Sequence, residues 1–595
     1  MHSPEKTANL QISQASFSST QLSRRAFIGS VAAATVLPGV SLERTEQQAV
    51  GHVDPSGSAS FLDILRFPDH VTAYSRLTEP VRLTRSQSEW RGSGIDILSE
   101  VERQEIAITV HAPRMAVRCI HLRWNAPVKN DLQILGDDWE RSYGTLGWRY
   151  TIPQRTMPWY FATYDGKACH SYGVKTGAKA LCFWQLDPDG VSLWLDLSNG
   201  GGGVELGQRT LAAATVVTRK GIVDEQVMSG LHDFCRKMCS RPSRPSQPFY
   251  GSNDWYYAYG RNTAKRILED TDFVAELCAS NPVRPFYAID DGWKAGPPAY
   301  PSMSELASQI RERQVRPGIW IRPLEAPLNT HKGLVLPGAR YGELNDRAKQ
   351  LAYDPTVPEA RELVLAKAKG VVEWGYDLVK HDFTTYELLG RWGNEMGARP
   401  TLPGWSFYDR SRTNAEIILD LYQAIRQVCG NDMLILGCNT IGHLAQGYVD
   451  IQRTGNDTSG RFWEKTRCMG INTLAFRLPQ HRAFFVLDPD CVGITAAIPW
   501  EANRQWLDLV AQTGTALFVS LGEGSRNPEH AKEIQRAFYL ASRGGAGAKP
   551  VTHLKESTPQ TWTNERSGAA PRELHYDWCL EQGAFPFADS LNVTD

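Results

Sequence analysis

A multidomain chain with a central (β/α)8 TIM barrel, an N-terminal β-sandwich and a small C-terminal β region is the fold this sequence predicts. Three observations predict it. Eight short, apolar, β-rich runs recur between residues 249 and 519. Segments with apolar residues at three-to-four spacing separate most of them. Polar residues collect just past the C-terminal ends of the runs, the face on which barrel enzymes build their sites.

The elements follow in order. Ser23-Arg24-Arg25-Ala26-Phe27-Ile28, followed by an Ala-rich apolar stretch over 29–40, matches a twin-arginine export signal and places the mature protein in the periplasm or outside the cell. From about 61 to 217 the pattern is alternating strands, at 107–111, 117–124, 180–186 and 191–197. Asp187-Pro188-Asp189-Gly190 is the turn of a hairpin between the last two, and 200–203 reads as a loop. A helix around 224–239 and the linker Arg241-Pro242-Ser243-Arg244-Pro245 lead into the barrel. Its strands are predicted at 249–259, 285–289, 317–321, 376–379, 433–436, 448–451, 484–487 and 516–519. Its helices are predicted at 263–278, 303–313, 358–375, 414–429 and 502–513, while 442–447 is too short for a full helix between the fifth and sixth strands. Asp354-Pro355-Thr356 reads as a cap or turn. The resulting division is 1–50 for the signal and linker, 60–240 for the N-terminal β domain, 246–543 for the barrel and 544–595 for a short C-terminal β region.

The strand ends carry Asn253-Asp254-Trp255, Asp290-Asp291-Gly292-Trp293, Trp320 with Arg322, Lys380 with Asp382, Cys438-Asn439, Arg453 with Asp457, and Asp488 with Asp490. Asp382 and Asp457 each follow a cation that strand alternation places on the same face, Lys380 and Arg453. Two carboxylates brought from different strand ends into one pocket are what glycoside cleavage requires. Lys380 is expected to keep Asp382 ionised, as an attacking carboxylate must be. An acid at Asp457 needs a raised pKa, which Arg453 opposes. Asp290 and Asp291 are suited to receive sugar hydroxyls, and Trp293 and Trp320 offer flat apolar faces, as core residues equally do. Read alone, Cys438 is a small buried hydrophobe.

These pieces, in this order, resemble the retaining α-galactosidases of the melibiase and raffinose-synthase type. The matching segments are Ile289-Asp290-Asp291-Gly292-Trp293, Pro317-Gly318-Ile319-Trp320, Tyr353-Asp354-Pro355-Thr356-Val357-Pro358, Lys380-His381-Asp382-Phe383, Cys438, Arg453-Thr454-Gly455-Asn456-Asp457 and Asp488-Pro489-Asp490. Gly136-Asp137-Asp138-Trp139-Glu140-Arg141 resembles part of the family's N-terminal domain. The resemblance implies that Asp382 is the nucleophile and Asp457 the acid/base. It also implies that an Asp of the Asp290-Asp291 pair receives galactose hydroxyls and that Cys438 lines the pocket. Trp293, Trp320, Arg322, Lys380 and Arg453 are counted with them as substrate-binding candidates, Arg453 either as a ligand for a sugar hydroxyl or as support for the deprotonated Asp457 in the second step. Arg322 stands where many members carry Glu, and Cys438-Asn439-Thr440-Ile441-Gly442 replaces a Gly-rich stretch, so both bear on the sugar or aglycone preferred.

With 64 Lys+Arg against 65 Asp+Glu, the composition points to no nucleic-acid partner. No membrane span is expected after the signal. Eleven cysteines form neither a regular framework nor a metal motif, so no metal or other cofactor is expected. The expected partner is an α-galactoside oligosaccharide or glycoconjugate. Galactosyl transfer, α-N-acetylgalactosamine release and non-catalytic carbohydrate binding stand as alternatives.

Overall fold

The computed structural model describes residues 60–580 apart from 77–78, 245–246, 297–298, 301, 343–349 and 565–570. The export signal with Arg24 and Arg25 lies outside the described residues, as does the chain beyond 580.

Two antiparallel sheets form the N-terminal part. One orders six strands as Glu79–Arg82, His70–Arg76, Cys119–Asn125, Gly190–Asp196, Leu181–Asp187 and Met157–Pro158; the other has eight, from Thr84–Ser86 to Gln133–Gly136. Period-two burial marks Glu105–His111, where Ile106, Ile108 and Val110 point inward. Those residues share one apolar cluster with Ile120, Leu122, Leu193 and Leu195 of the six-stranded sheet. The predicted hairpin is present, with Asp187 paired to Gly190 across the turn. The segment read as a loop at 200–203 instead includes a two-residue strand, Gly202–Gly203, paired with Ser198–Asn199. The helix Val227–Met238 follows.

The barrel strands are Tyr250–Asn253, Phe286–Ile289, Arg316–Ile321, Leu378–His381, Leu434–Gly437, Ile451–Arg453, the pair Val486–Asp488 and Cys491–Ile494, and Leu517–Leu521. All their pairings are parallel. The seventh position closes the ring. Val486–Asp488 pairs with the sixth strand and Cys491–Ile494 with the eighth, on either side of Pro489-Asp490. Proline lacks the N–H a continuous strand would need there, and Asp490 turns the chain with φ 73°.

The first predicted strand, 249–259, is two elements, because Trp255–Ala258 is a helical turn beyond Asn253. The fourth and sixth strands begin later than predicted, so Lys380 and Arg453 sit inside them. Asn414–Cys429 forms as predicted, started by a reciprocal cap between Thr413 and Glu416. Between the fifth and sixth strands there is only the single turn Gly442–Ala445. A helix at Pro528–Ser542, not among those predicted, packs against the first strand, Phe538 meeting Tyr250 at 5.4 Å. Asp354 does form a turn, its Oδ1 accepting from Thr356 N at 2.9 Å. Lys549–Pro550, Thr561–Asn564 and Arg572–His575 make a small C-terminal antiparallel sheet.

Candidate active site

Pleat alternation decides what reaches the barrel interior. The interior cluster contains Phe249, Phe286 and Ala288, Leu378, Leu434 and Leu436, Ile451, Val486 and Phe518. Counting onward by twos, the same face delivers Asn253, Asp290, Lys380 and Asp382, Cys438, Arg453, Asp488 and Ser520. One rule therefore builds an apolar floor and a polar upper layer. On the third strand the inward pair is Gly318 and Trp320. A Cβ at Gly318 would lie 3.0 Å from Leu378 Cδ2 and 3.3 Å from Ala288 Cα, so the third strand's large side chain is placed above the floor.

Asp382 is buried. Its Oδ2 accepts from Trp320 Nε1 at 3.0 Å and its Oδ1 from Phe383 N at 2.7 Å. Phe383 itself adopts φ 61°, a left-handed conformation that costs energy for a non-glycine residue. Burial pushes the Asp382 carboxyl up, but Arg141, Lys380 and the Trp320 hydrogen bond outweigh it and hold the pKa below the ordinary value. The group is a carboxylate at neutral pH.

Asp457 differs. Its side chain is 41% exposed, and Oδ1 lies 3.1 Å from Arg453 Nη2 and 3.5 Å from Arg141 Nη1. The strand ends at Arg453, so a bend, not alternation, brings Asp457 back to it. The raised pKa required of an acid is not present in this unliganded arrangement. Burial raises it, but Arg453 and Arg141 dominate and the pKa is lowered.

Arg141 is the largest part of the site that the sequence reading missed. It comes from the N-terminal segment, is buried, and approaches Cys438 Sγ at 3.9 Å as well as Asp457. Trp392 lies against its guanidinium at 5.3 Å. The segment is fastened to the acid-bearing loop by Ser142 N to Thr454 O at 2.8 Å and Asn456 N to Ser142 O at 2.8 Å. Glu140 beside it accepts from Asn439 Nδ2 at 2.5 Å and Tyr143 Oη at 2.6 Å. Asp490, also unassigned from sequence, anchors Arg453 at 2.7 Å and accepts from the Tyr256 hydroxyl and from Thr458 N at 2.9 Å. Cys438 is buried with Sγ 3.4 Å from Arg453 Nη1.

Lys380 makes its direct ion pair with Asp290 Oδ2, at 2.7 Å, rather than with Asp382. Burial opposes its charge, yet Asp290 holds its pKa well above the ordinary value. Asp290 also accepts from Asn253 Nδ2 at 2.9 Å. Behind it, burial and then the Asp290 charge push Asp254 up to about 8. Asp291 points outward from this layer, 41% exposed, with Lys294 at 3.9 Å.

Two of the sequence candidates face elsewhere. Trp293 donates to Trp320 O at 2.9 Å and packs edge-to-face on Trp374, ring centres 5.6 Å apart. Arg322 is tied to buried Glu387 at 2.6 Å and lies over the Phe383 ring at 4.5 Å. Both line a cavity of about 370 Å³ whose wall includes outward-facing Ile321. Trp320 and Arg322 thus act on Asp382 and Phe383 from behind, whereas Trp293 touches neither carboxylate.

Solved structures share this architecture. An α-galactosidase from Thermus thermophilus, solved with p-nitrophenyl α-D-galactopyranoside, is 17% identical; the match covers 85% of this chain and 99% of that one with TM-score 0.54. GH36 α-galactosidase AgaA from Geobacillus stearothermophilus is 12% identical over 84% of this chain and 76% of its own, with TM-score 0.53. The galactosidase domain of the α-galactosidase–sucrose kinase AgaSK is 13% identical over 83% and 75%, with TM-score 0.51. This chain has their fold. No protein-family model matches it.

Proposed function

We propose that the protein is a retaining glycoside hydrolase that releases terminal α-linked galactose. The observation that carries this reading is the convergence of Asp382 and Asp457, from the fourth and sixth strands, around Arg141 and Arg453. An Asp382 oxygen attacks the anomeric carbon while the bond to the leaving oxygen breaks and Asp457 gives that oxygen its proton. Water then attacks the same carbon, Asp457 takes the water's proton, and the bond to Asp382 breaks. The resting Asp457 carboxylate suits the second step. For the first, Asp457 moves away from Arg453, which keeps Asp490 as its closer partner, and takes a proton from solvent through its exposed side before passing it to the leaving oxygen.

Asp290, Lys380 and Cys438 form the sugar-facing layer in this proposal, with Trp320 bonded to the nucleophile and Asp291 turned outward from it. Charged acceptors and donors suit a hydroxyl-rich ring. The Thermus enzyme has also been solved with stachyose, and an α-galactosyl oligosaccharide is the proposed substrate class here. The two antiparallel sheets are read as a β-sandwich that delivers Arg141. Export through Arg24 and Arg25 belongs to the same proposal: replacing both with Lys leaves full-length precursor in the cytoplasm, and unchanged export removes it.

Assay of the purified protein against nitrophenyl α- and β-glycosides tests the activity. Turnover of the α-galactoside is expected. Preference for the α-N-acetylgalactosaminide reassigns the sugar, and a transfer product formed at high acceptor concentration reassigns the reaction. No turnover of any glycoside supports non-catalytic binding instead.

A further inference from the structure

The six-stranded sheet carries a second polar and aromatic surface, away from the barrel strands. Its inward residues are Ala73, Ile120, Leu193 and Leu195. Alternation therefore turns Tyr74, Cys119 and Asp196 to the other face, where register places them side by side on three strands. The next row on that face is His121, Trp194 and Phe183. Trp194 stacks on His121 at 4.0 Å and on Phe183 at 5.9 Å, and Tyr74 leans on it at 6.0 Å.

Tyr74, Arg118, Cys119, Phe183, Trp194 and Asp196 line a cavity of about 230 Å³, with Gln185, Ala398 and Arg399 completing it. Ala398 and Arg399 are exposed and form its solvent side. Arg118 is 8% exposed, and among the described residues its guanidinium has no hydrogen-bond or ion-pair partner; its Nε is fully buried. Trp194 Nε1 is likewise buried and unpaired. Unpaired buried donors of this kind are costly, while the charge of Arg118 is partly offset by the Asp196 carboxylate nearby. Asp196, also 8% exposed, supplies an acceptor in the same cavity.

We propose that this cavity is a carbohydrate-binding site for a single pyranose unit, distinct from the Asp382–Asp457 cluster. A hydroxyl accepts from the Arg118 guanidinium and donates to Asp196, a pairing of roles that neither an anion nor an apolar ligand offers. The ring's apolar face meets the aromatic row. The volume lies below the roughly 300–1,000 Å³ that holds a drug-sized ligand, which limits the occupant to about one ring. Galactosyl probes are chosen on the strength of the proposed activity; the site itself does not depend on it.

The test uses the full chain with Asp382→Asn to stop turnover, titrated with D-galactose and with raffinose by calorimetry and ligand-observed NMR. A binding event additional to that of the catalytic pocket is expected, with Kd of about 1 mM. Adding Arg118→Met weakens that event by about tenfold or more, as loss of a charged hydrogen bond does. Tyr74→Ala, at a half-buried position, is the second variant and does the same. In the otherwise unaltered enzyme, Arg118→Met leaves kcat/KM for p-nitrophenyl α-galactoside within about twofold. A single binding event that neither substitution changes overturns the proposal, as does an additional event lost on Asp290→Asn but kept in Arg118→Met. If hydrolysis is absent altogether, the Arg118-dependent event is still measured, so the two readings fail separately.

Discussion

The two carboxylates of the site are held in opposite ways. Asp382 sits at the end of a regular strand, buried, fixed by Trp320 Nε1 and by the N–H of a left-handed Phe383. Asp457 stands beyond the end of its strand, 41% exposed, and is placed by Arg453 and by Arg141 from the N-terminal segment. One is locked; the other is held by charges that can be exchanged. A nucleophile must meet one carbon at one angle, whereas an acid/base must alternate between a leaving oxygen and a water. The difference teaches that the barrel alone positions the fixed group, while the movable one is positioned with the help of the N-terminal part, whose Arg141 also favours the charge of both.

Substitutions that break each half should therefore differ in size and kind. Asp382→Gly removes the attacking atom, and kcat on p-nitrophenyl α-galactoside is expected to fall by about 10⁴-fold or more. Azide restores part of it with a β-configured glycosyl azide. Restoration without inversion argues against Asp382 as nucleophile. Asp457→Ala is expected to cost about 10²–10⁴-fold on substrates with a poor leaving group and less on nitrophenyl substrates. Azide then gives the α-configured product, because the intermediate on Asp382 still forms. A loss of equal size on both substrate classes contradicts an acid role.

Arg141→Met tests the borrowed half. Arg141 lowers the pKa of both carboxyls, so its removal raises both. Asp382 must be ionised to react, so the acidic limb of the kcat/KM profile moves to higher pH, by about one unit. An unmoved limb with a lower melting temperature reduces Arg141 to a packing role.

The sequence carries the barrel better than the site. Eight strands were countable because each is short, β-rich and separated by helices such as Asn414–Cys429 with clean periodicity. Strand ends were less legible, and they matter: Lys380 lies two residues from Asp382 yet pairs with Asp290, 90 positions away. Alternation says which face Lys380 occupies but not which acid its long side chain meets. Arg141 is 316 positions from Asp457, and no local pattern encodes that contact. Trp293 stands one residue beyond the paired acids, but the turn at that intervening residue, Gly292 with φ 118°, carries its ring to Trp374.

That relocation yields the smallest expected effect. Trp293→Ala leaves kcat/KM within about threefold and lowers stability by ~2 kcal/mol through lost packing, read from thermal unfolding. A large rise in KM with an unchanged melting temperature returns Trp293 to the sugar.

The measurement closest to the central claim is the anomer first released by the unaltered enzyme, followed by proton NMR during hydrolysis of p-nitrophenyl α-galactoside before mutarotation. Double displacement through Asp382 predicts α-galactose as the initial product; β-galactose contradicts it, whatever the substitutions do.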